Sequence, residues 1–294
     1  MELKSISGVM RPIDLLQVLA VVLIWGINFV AIKTAVSEIP PLALTVVRFL
    51  FVGILLTPFF RPERSQLKPL LLLSLTMGVG HFGLLFLGLR GADAATSALL
   101  IQLGVPFSSI MAAYFFADRL GWKRAAGMAM AFVGAGLLAG EPGGGTPLAI
   151  TALLVSAICW AGSNILIKQI PQVHPMTIIG WLSLMAVPPL AMLSFIFETD
   201  QMPAIRTADW KAWTALAYIV LASSVVAYYL WYRLIARLQV NQVVPFTLLA
   251  PVIGVAAGVL ILGEAFTAYK AIGGLLTIVG VAVIHFRQMR QTIK

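Results

Sequence analysis

Long apolar runs separated by short polar punctuation occupy almost the whole chain. Stretches near 15–36, 41–60, 67–89, 94–116, 123–140, 147–168, 175–197, 212–234, 241–263 and 268–286 are dominated by Leu, Ile, Val, Ala, Phe and Gly, with Pro, Gly and charged clusters between them. An α-helix needs about 20 mostly apolar residues to cross a hydrocarbon core of roughly 30 Å. In lipid each backbone group must be satisfied within its own segment, so the pattern predicts an all-α membrane protein with ten transmembrane helices. The first run, from Leu15 behind Lys4 and Arg11, is too long for a cleaved signal core and is followed by further runs, so it is expected to stay as the first helix.

Composition agrees with the pattern. With 60% hydrophobic and 11% charged residues, 294 residues carry too little polar surface to cover a water-soluble globule, so the lipid bilayer is the expected partner. The net charge of +9 does not mark a nucleic-acid binder, because the charges sit in short connectors and at the ends rather than on a soluble basic face. They set topology instead. If the N-terminus is cytoplasmic, the far side holds five of the 20 Lys and Arg residues, namely Lys33, Arg90, Arg206, Lys211 and Lys270, and Arg48 lies within a span. The other fourteen then lie on the cytoplasmic side, which predicts that both termini are there. The single cysteine, Cys159, excludes an intrachain disulfide and reads as a core thiol.

The two halves of the chain resemble each other. Trp25-Gly26 is followed by Lys33, and Trp160-Ala161 is followed by Lys168 at the same spacing. Gly127, Ala131 and Gly134 in the fifth span match Gly273, Thr277 and Gly280 in the tenth as small-residue faces that permit close helix approach. Asp118 or Glu264 precedes each of these spans, and Pro106 or Pro251 precedes the acid. Two units, 1–141 and 142–294, are expected, with Gly143-Gly144-Gly145 as a flexible hinge between them. Five spans per unit is an odd number, so the second must enter the membrane inverted. Inverted repeats place a central cavity near the bilayer midplane and support alternating access.

The ordered set of Trp25-Gly26…Lys33, Pro41…Arg48, Trp160-Ala161…Lys168 and Pro251…Gly263-Glu264 followed by Gly273, Gly274 and Gly280 resembles the drug/metabolite transporter superfamily, in particular the EamA-type ten-helix exporters. Within that group it is similar to the YddG-type amino-acid exporters. The resemblance implies export of amino acids or related metabolites across a bacterial cytoplasmic membrane through a central cavity. The chain departs from the repeat where Asp118 stands opposite Glu264.

Polar residues inside the spans are the candidate site, because an ionisable or amide group in the membrane is costly unless it faces a wet cavity or a partner. His81, in the third span, is the leading candidate for the cavity wall; the alternative is a neutral histidine bonded to a neighbouring helix. Trp25 and Asn28 share one helix face, and Trp160, Ser163 and Asn164 share the counterpart, as either an aromatic pocket wall or a packing seam. Gln102 and Thr247 stand ahead of Pro106 and Pro251, prolines that free carbonyls or let a helix bend. Tyr228 is expected deeper than Trp231 and Tyr232, which fit an interfacial aromatic belt. Arg48 could pair with a helix C-terminus or a connector acid, or meet a substrate carboxylate; it is assigned a structural or gating role, with Pro106, Pro251 and Glu264, and Lys33 and Lys168 are expected to snorkel to headgroups.

All eleven Asp and Glu residues fall at span ends or in connectors, which argues against a cation-drug antiporter built on a buried acid. The expected substrate is neutral or zwitterionic. Proton exchange then runs through His81 or is absent, leaving facilitated diffusion open. Gly143-Gly144-Gly145 lacks the Lys and Ser/Thr of a phosphate loop, and His81, His174 and His285 are too dispersed for a metal site, so neither cofactor nor metal is expected. The alternatives are a drug or nucleotide-sugar carrier, which in the latter case demands more cations than Arg48, and a lipid-modifying membrane enzyme, for which no paired acids are found. The sequence leaves the oligomeric state open, with a monomer sufficient.

Overall fold

The structure is a computed structural model that describes residues 10–116, 121–170, 173–238 and 240–292. Lys4, Asp118, Arg119 and Lys294 lie outside the described residues, as do the side chains of Lys168, Arg287 and Arg290. Among the described residues there is no strand. Eight helices among the described residues are long and apolar enough to cross a membrane: α1 (Pro12–Val36), α3 (Arg64–Gly91), α4 (Ala94–Phe115), α6 (Pro147–Ile167), α7 (Pro175–Phe197), α9 (Trp210–Arg237), α10 (Val244–Leu262) and α11 (Ala268–Phe286). Two of the ten expected spans are shorter or more polar. Helix α2 (Pro41–Leu56) has 16 residues, about 24 Å at 1.5 Å per residue, and α5 (Trp122–Ala139) carries Lys123 and Arg124 in its first turn. A short helix that the apolar pattern does not announce, α8 (Gln201–Thr207), lies between α7 and α9.

Local chemistry sets the helix ends. Proline stands in the first turn of α1, α2, α6 and α7, where its missing N–H costs nothing. Thr146 caps α6 by accepting from the N–H of Ala149, and Asp209 caps α9 through Lys211 and Ala212. Gly263 closes α10 at φ +70°, a left-handed position that favours glycine. Large apolar side chains point outward along the helices, including Phe195 at 85% and Leu260 at 82% exposure, the reverse of a soluble surface.

The small-residue faces of α5 and α11 meet as antiparallel backbones. A Cβ on Gly134 would lie 2.5 Å from the Gly273 carbonyl oxygen, and one on Gly273 would lie 2.8 Å from that of Gly134. Gly127 and Gly280 stand in the same reciprocal relation. Helices α2 and α7 also pack together, α1 packs on α10 and α9, and α6 packs on α4 and α3.

Four helices are locally re-wound. Helix α3 passes through a π-helical segment at Ser74–Gly83 and α9 through another at Tyr218–Val226. A 3-10 turn, Ile101–Leu103, interrupts α4 ahead of Pro106, and another, Val244–Leu248, opens α10 ahead of Pro251. Such segments rotate the side chains beyond them and often accompany functional sites.

One end of the bundle is tightly closed. Lys270 is buried and its Nζ lies 2.5 Å from Asp93 Oδ2 and 3.7 Å from Glu141 Oε1. Glu141 Oε1 also accepts from Thr267 at 2.6 Å, and Glu264 caps α4 through the N–H groups of Ala94 and Ala95 at 2.6 and 2.9 Å. Lys33 reaches inward rather than to headgroups, because that connector places two carbonyls within its reach, Ala92 at 2.7 Å and Arg90 at 3.3 Å. The glycine connector is pinned rather than free: Gly144 accepts from the N–H of Asp93, Gly145 faces Ala92 in a β-bridge, and the N–H of Thr146 donates to Gly91. At the opposite end Asp14 is buried and paired with Arg237.

Candidate functional site

A cavity of about 460 Å³ opens at mid-height between the helices and extends toward the Asp14 end. Its wall on α9 runs from Ser223 to Tyr232 and on α10 from Val244 to Pro251, whereas the Lys270–Asp93 cluster contributes nothing to it. The re-wound segments supply much of the lining. Met77, His81 and Phe82 come from the π segment of α3, Ser223 from that of α9, and Gln102, Val244 and Thr247 from the 3-10 turns.

Eight of the nine residues expected at a cavity are on its wall: Trp25, Asn28, His81, Gln102, Trp160, Asn164, Tyr228 and Thr247. Ser163 is not. It is fully buried, donating to the carbonyl of Cys159 one turn back and lying 3.0 Å from Thr76 Oγ1, so it belongs to the seam between α6 and α3. Asn164, one position on, turns into the cavity and lies 3.4 Å from Ser108 Oγ. Pro251 lines the cavity, whereas Pro106 and Glu264 do not, and Glu264 is a helix cap.

His81 combines the two roles proposed for it. The Ser156 hydroxyl donates to the His81 carbonyl at 2.8 Å and lies 2.9 Å from Nδ1. Nδ1 also lies 3.2 Å from the Ser156 carbonyl oxygen, which can only accept, so the arrangement fits a ring hydrogen on Nδ1 with Nε2 left as the acceptor of the neutral ring. The ring also meets Phe82 edge-on at 4.7 Å.

The aromatic wall is larger than the sequence suggests. Trp25 packs against Tyr228 at 5.3 Å and Trp231 at 5.4 Å, and Tyr228 stacks with Tyr232 at 6.0 Å. Trp231 and Tyr232, expected in an interfacial belt, line the cavity, and their neighbour Tyr229 faces outward. Their register depends on the π segment upstream, where Ser224 Oγ donates to the carbonyl of Ile219 five residues back. His285, near the end of α11, is a wall residue that spacing alone did not single out.

Arg48, expected in a structural or gating role, is also on the wall. Its guanidinium donates to Ser224 Oγ from Nε at 3.3 Å and from Nη2 at 3.1 Å and lies over the Phe82 ring at 4.3 Å. No Asp or Glu lines the cavity among the described residues, and Arg48 is the one Lys or Arg that does. No group of His, Cys, Asp and Glu able to hold a metal ion occurs among the described residues.

Apolar outer faces and an internal cavity walled by aromatic rings, amides and one cation define a multi-pass membrane protein suited to a small solute. The chain belongs to the EamA-like transporter family, whose pattern matches residues 13–140 and again 147–286. It is a transporter rather than an enzyme. A "Probable amino-acid metabolite efflux pump" of Salmonella typhimurium is 32% identical over 92% of this chain and 95% of that protein. Its namesake in Escherichia coli is 30% identical over 91% of this chain and 93% of that protein. A solved crystal structure shares the fold at a TM-score of 0.63 and 21% identity, covering 96% of this chain and 99% of that one.

Proposed function

We propose that this protein exports amino acids and related small metabolites across the bacterial inner membrane by alternating access between two inverted five-helix halves, residues 1–141 and 142–294, with both termini cytoplasmic. The observation that carries the reading is a mid-height cavity with an aromatic and polar wall, closed at the Lys270 end. The names of the two efflux-pump relatives support the substrate class.

The packing pattern supports inversion. Exchanging the halves turns α5 on α11 and α2 on α7 into themselves, α1 on α10 into α6 on α4, and α1 on α9 into α6 on α3, and all of these contacts occur. The reciprocal glycine contacts of α5 and α11 are what a two-fold axis through that crossing generates. The π segments of α3 and α9 and the 3-10 turns of α4 and α10 stand at corresponding places in the halves. With the basic connectors cytoplasmic, the cavity faces inward, as loading for export requires.

The test is efflux from proteoliposomes loaded with a panel of labelled amino acids, with and without a pH gradient. Release of neutral and aromatic amino acids above protein-free vesicles is expected. Retention of the whole panel would remove the export reading and leave the family and fold in place.

A further inference from the structure

Two residues of the cavity wall each hold a buried polar atom with no partner among the described residues, and the two atoms are of opposite kind. Arg48 is 2% exposed; its Nε and Nη2 both spend themselves on Ser224, and Nη1 has no acceptor. Asn28 Oδ1 is a buried acceptor without a donor. Both residues line the cavity. Unpaired buried polar groups cost free energy, charged ones most of all, so those that native structures retain call for an explanation.

Arg48 is held in place without being neutralised. Ser224 is itself anchored on the carbonyl of Ile219 at 2.7 Å, and Phe82 lies under the guanidinium plane. A recess of about 30 Å³ beside Arg48 and Ser224 has room for a water-sized body. Water would satisfy a hydrogen bond there but not the charge. With no carboxylate among the described residues of the wall, the counter-charge enters with the cargo.

We propose that Arg48 receives the carboxylate of the substrate and that Asn28 Oδ1 accepts from its ammonium group. This inference rests on the amino-acid export reading and makes it more specific. The two ends of a zwitterion are then treated unequally. The carboxylate meets a full charge with spare N–H donors, whereas the ammonium meets a neutral amide and the faces of Trp25, Tyr228 and Trp231. The carboxylate is therefore obligatory and the ammonium an accessory. The favoured class is a monocarboxylate with an apolar or aromatic side chain. A second carboxylate would find no further Lys or Arg, and a basic side chain no Asp or Glu, among the described residues of the wall.

The test is calorimetric titration of the purified full chain with L-phenylalanine, 3-phenylpropionate and L-phenylalaninamide. Phenylalanine and 3-phenylpropionate are expected to bind, the latter several-fold more weakly, and the amide at least about 100-fold more weakly than phenylalanine. Arg48→Gln should bring phenylalanine down to the level of the amide. Asn28→Leu should bring phenylalanine down to 3-phenylpropionate while keeping acid and amide apart. The amide binding within about threefold of phenylalanine, Arg48→Gln holding phenylalanine at full affinity, or failure of all three to bind would overturn the proposal. If Arg48→Gln does not fold, the unmodified protein still decides through the three ligands. Efflux separates the two readings: carboxylate-selective binding without efflux of any amino acid removes export and leaves the Arg48 site. Efflux with no preference for acid over amide removes the Arg48 site and leaves export.

Discussion

The closed end of the bundle and the cavity wall each bury a cation, and they treat it in opposite ways. Lys270, with its side chain 1% exposed, has Asp93 at 2.5 Å, Glu141 at 3.7 Å and the Ala265 carbonyl at 2.8 Å. Arg48 has a serine hydroxyl and an aromatic face. The first arrangement ties α11 to the α3–α4 connector and to the end of α5. The second ties nothing of opposite charge. A buried ion pair is costly to break because the surviving partner stays buried and uncompensated, whereas an unpaired buried cation has no such partner to abandon. The closed end uses its charges for cohesion, and the cavity keeps its charge available.

The sharpest way to break this comparison is Lys270→Met. It leaves Asp93 and Glu141 facing one another, with Glu141 Oε2 already lacking a partner. A loss of about 3 kcal/mol of stability is expected, at the lower edge for a broken buried pair because Asp93 keeps 28% of its side chain exposed. Thermal unfolding in detergent measures it, and an unchanged midpoint would mean that the pair is not cohesive. Glu264→Gln is the next largest. The two N–H donors that open α4 lose a charged acceptor and retain at most a neutral one, so roughly 1–2 kcal/mol should go by the same assay.

Much of this division was legible in the sequence, and its limits are instructive. Apolar runs located the eight helices long and apolar enough to cross a membrane, because the membrane imposes a length and a hydropathy on each. The paired faces Gly127/Gly134 and Gly273/Gly280 were visible because close approach requires small residues. Lys270 and Asp93 read as connector charges, since burial at a span end depends on which other connectors fold over it. Helical spacing placed Trp25, Asn28, Trp160 and Asn164 on wall faces, yet it could not separate Ser163 from Asn164, whose side chains diverge by about 100° around the helix. Trp231 and Tyr232 were missed as wall residues because the π segment upstream shifts the register that a regular helix predicts, and His285 was missed because its place on the wall depends on how α11 packs against helices distant in sequence. The surroundings of Arg48 were not legible because they are assembled from α3 and α9, far away in sequence.

Ser163→Ala sharpens the boundary of the wall. It removes one hydroxyl hydrogen bond in the α3–α6 seam and should cost about 1 kcal/mol of stability. Phenylalanine affinity by calorimetry should stay unchanged, because Ser163 is off the cavity wall. A tenfold loss of affinity would move Ser163 back among the wall residues.

The smallest expected change in stability comes from Arg48→Met, and its smallness is the point. Lys270→Met and Arg48→Met remove the same kind of group from equally buried positions, so a rule based on burial alone predicts similar losses. At Arg48 the substitution deletes an unpaired charge whose Nη1 is already unsatisfied. It leaves Ser224 bonded to Ile219 and places a flexible apolar chain among Phe49, Phe82 and Phe86, rings already within 5.4 Å of the guanidinium carbon. The unfolding midpoint should stay within about 0.5 kcal/mol of the unmodified protein or rise, because replacing a buried charge with a packed hydrophobe is often neutral or stabilising. Measured beside Lys270→Met in one detergent, the pair of variants isolates what each cation does. A drop at Arg48 as large as that at Lys270 would show that Arg48 is also held by cohesion, and the distinction between the two regions would collapse.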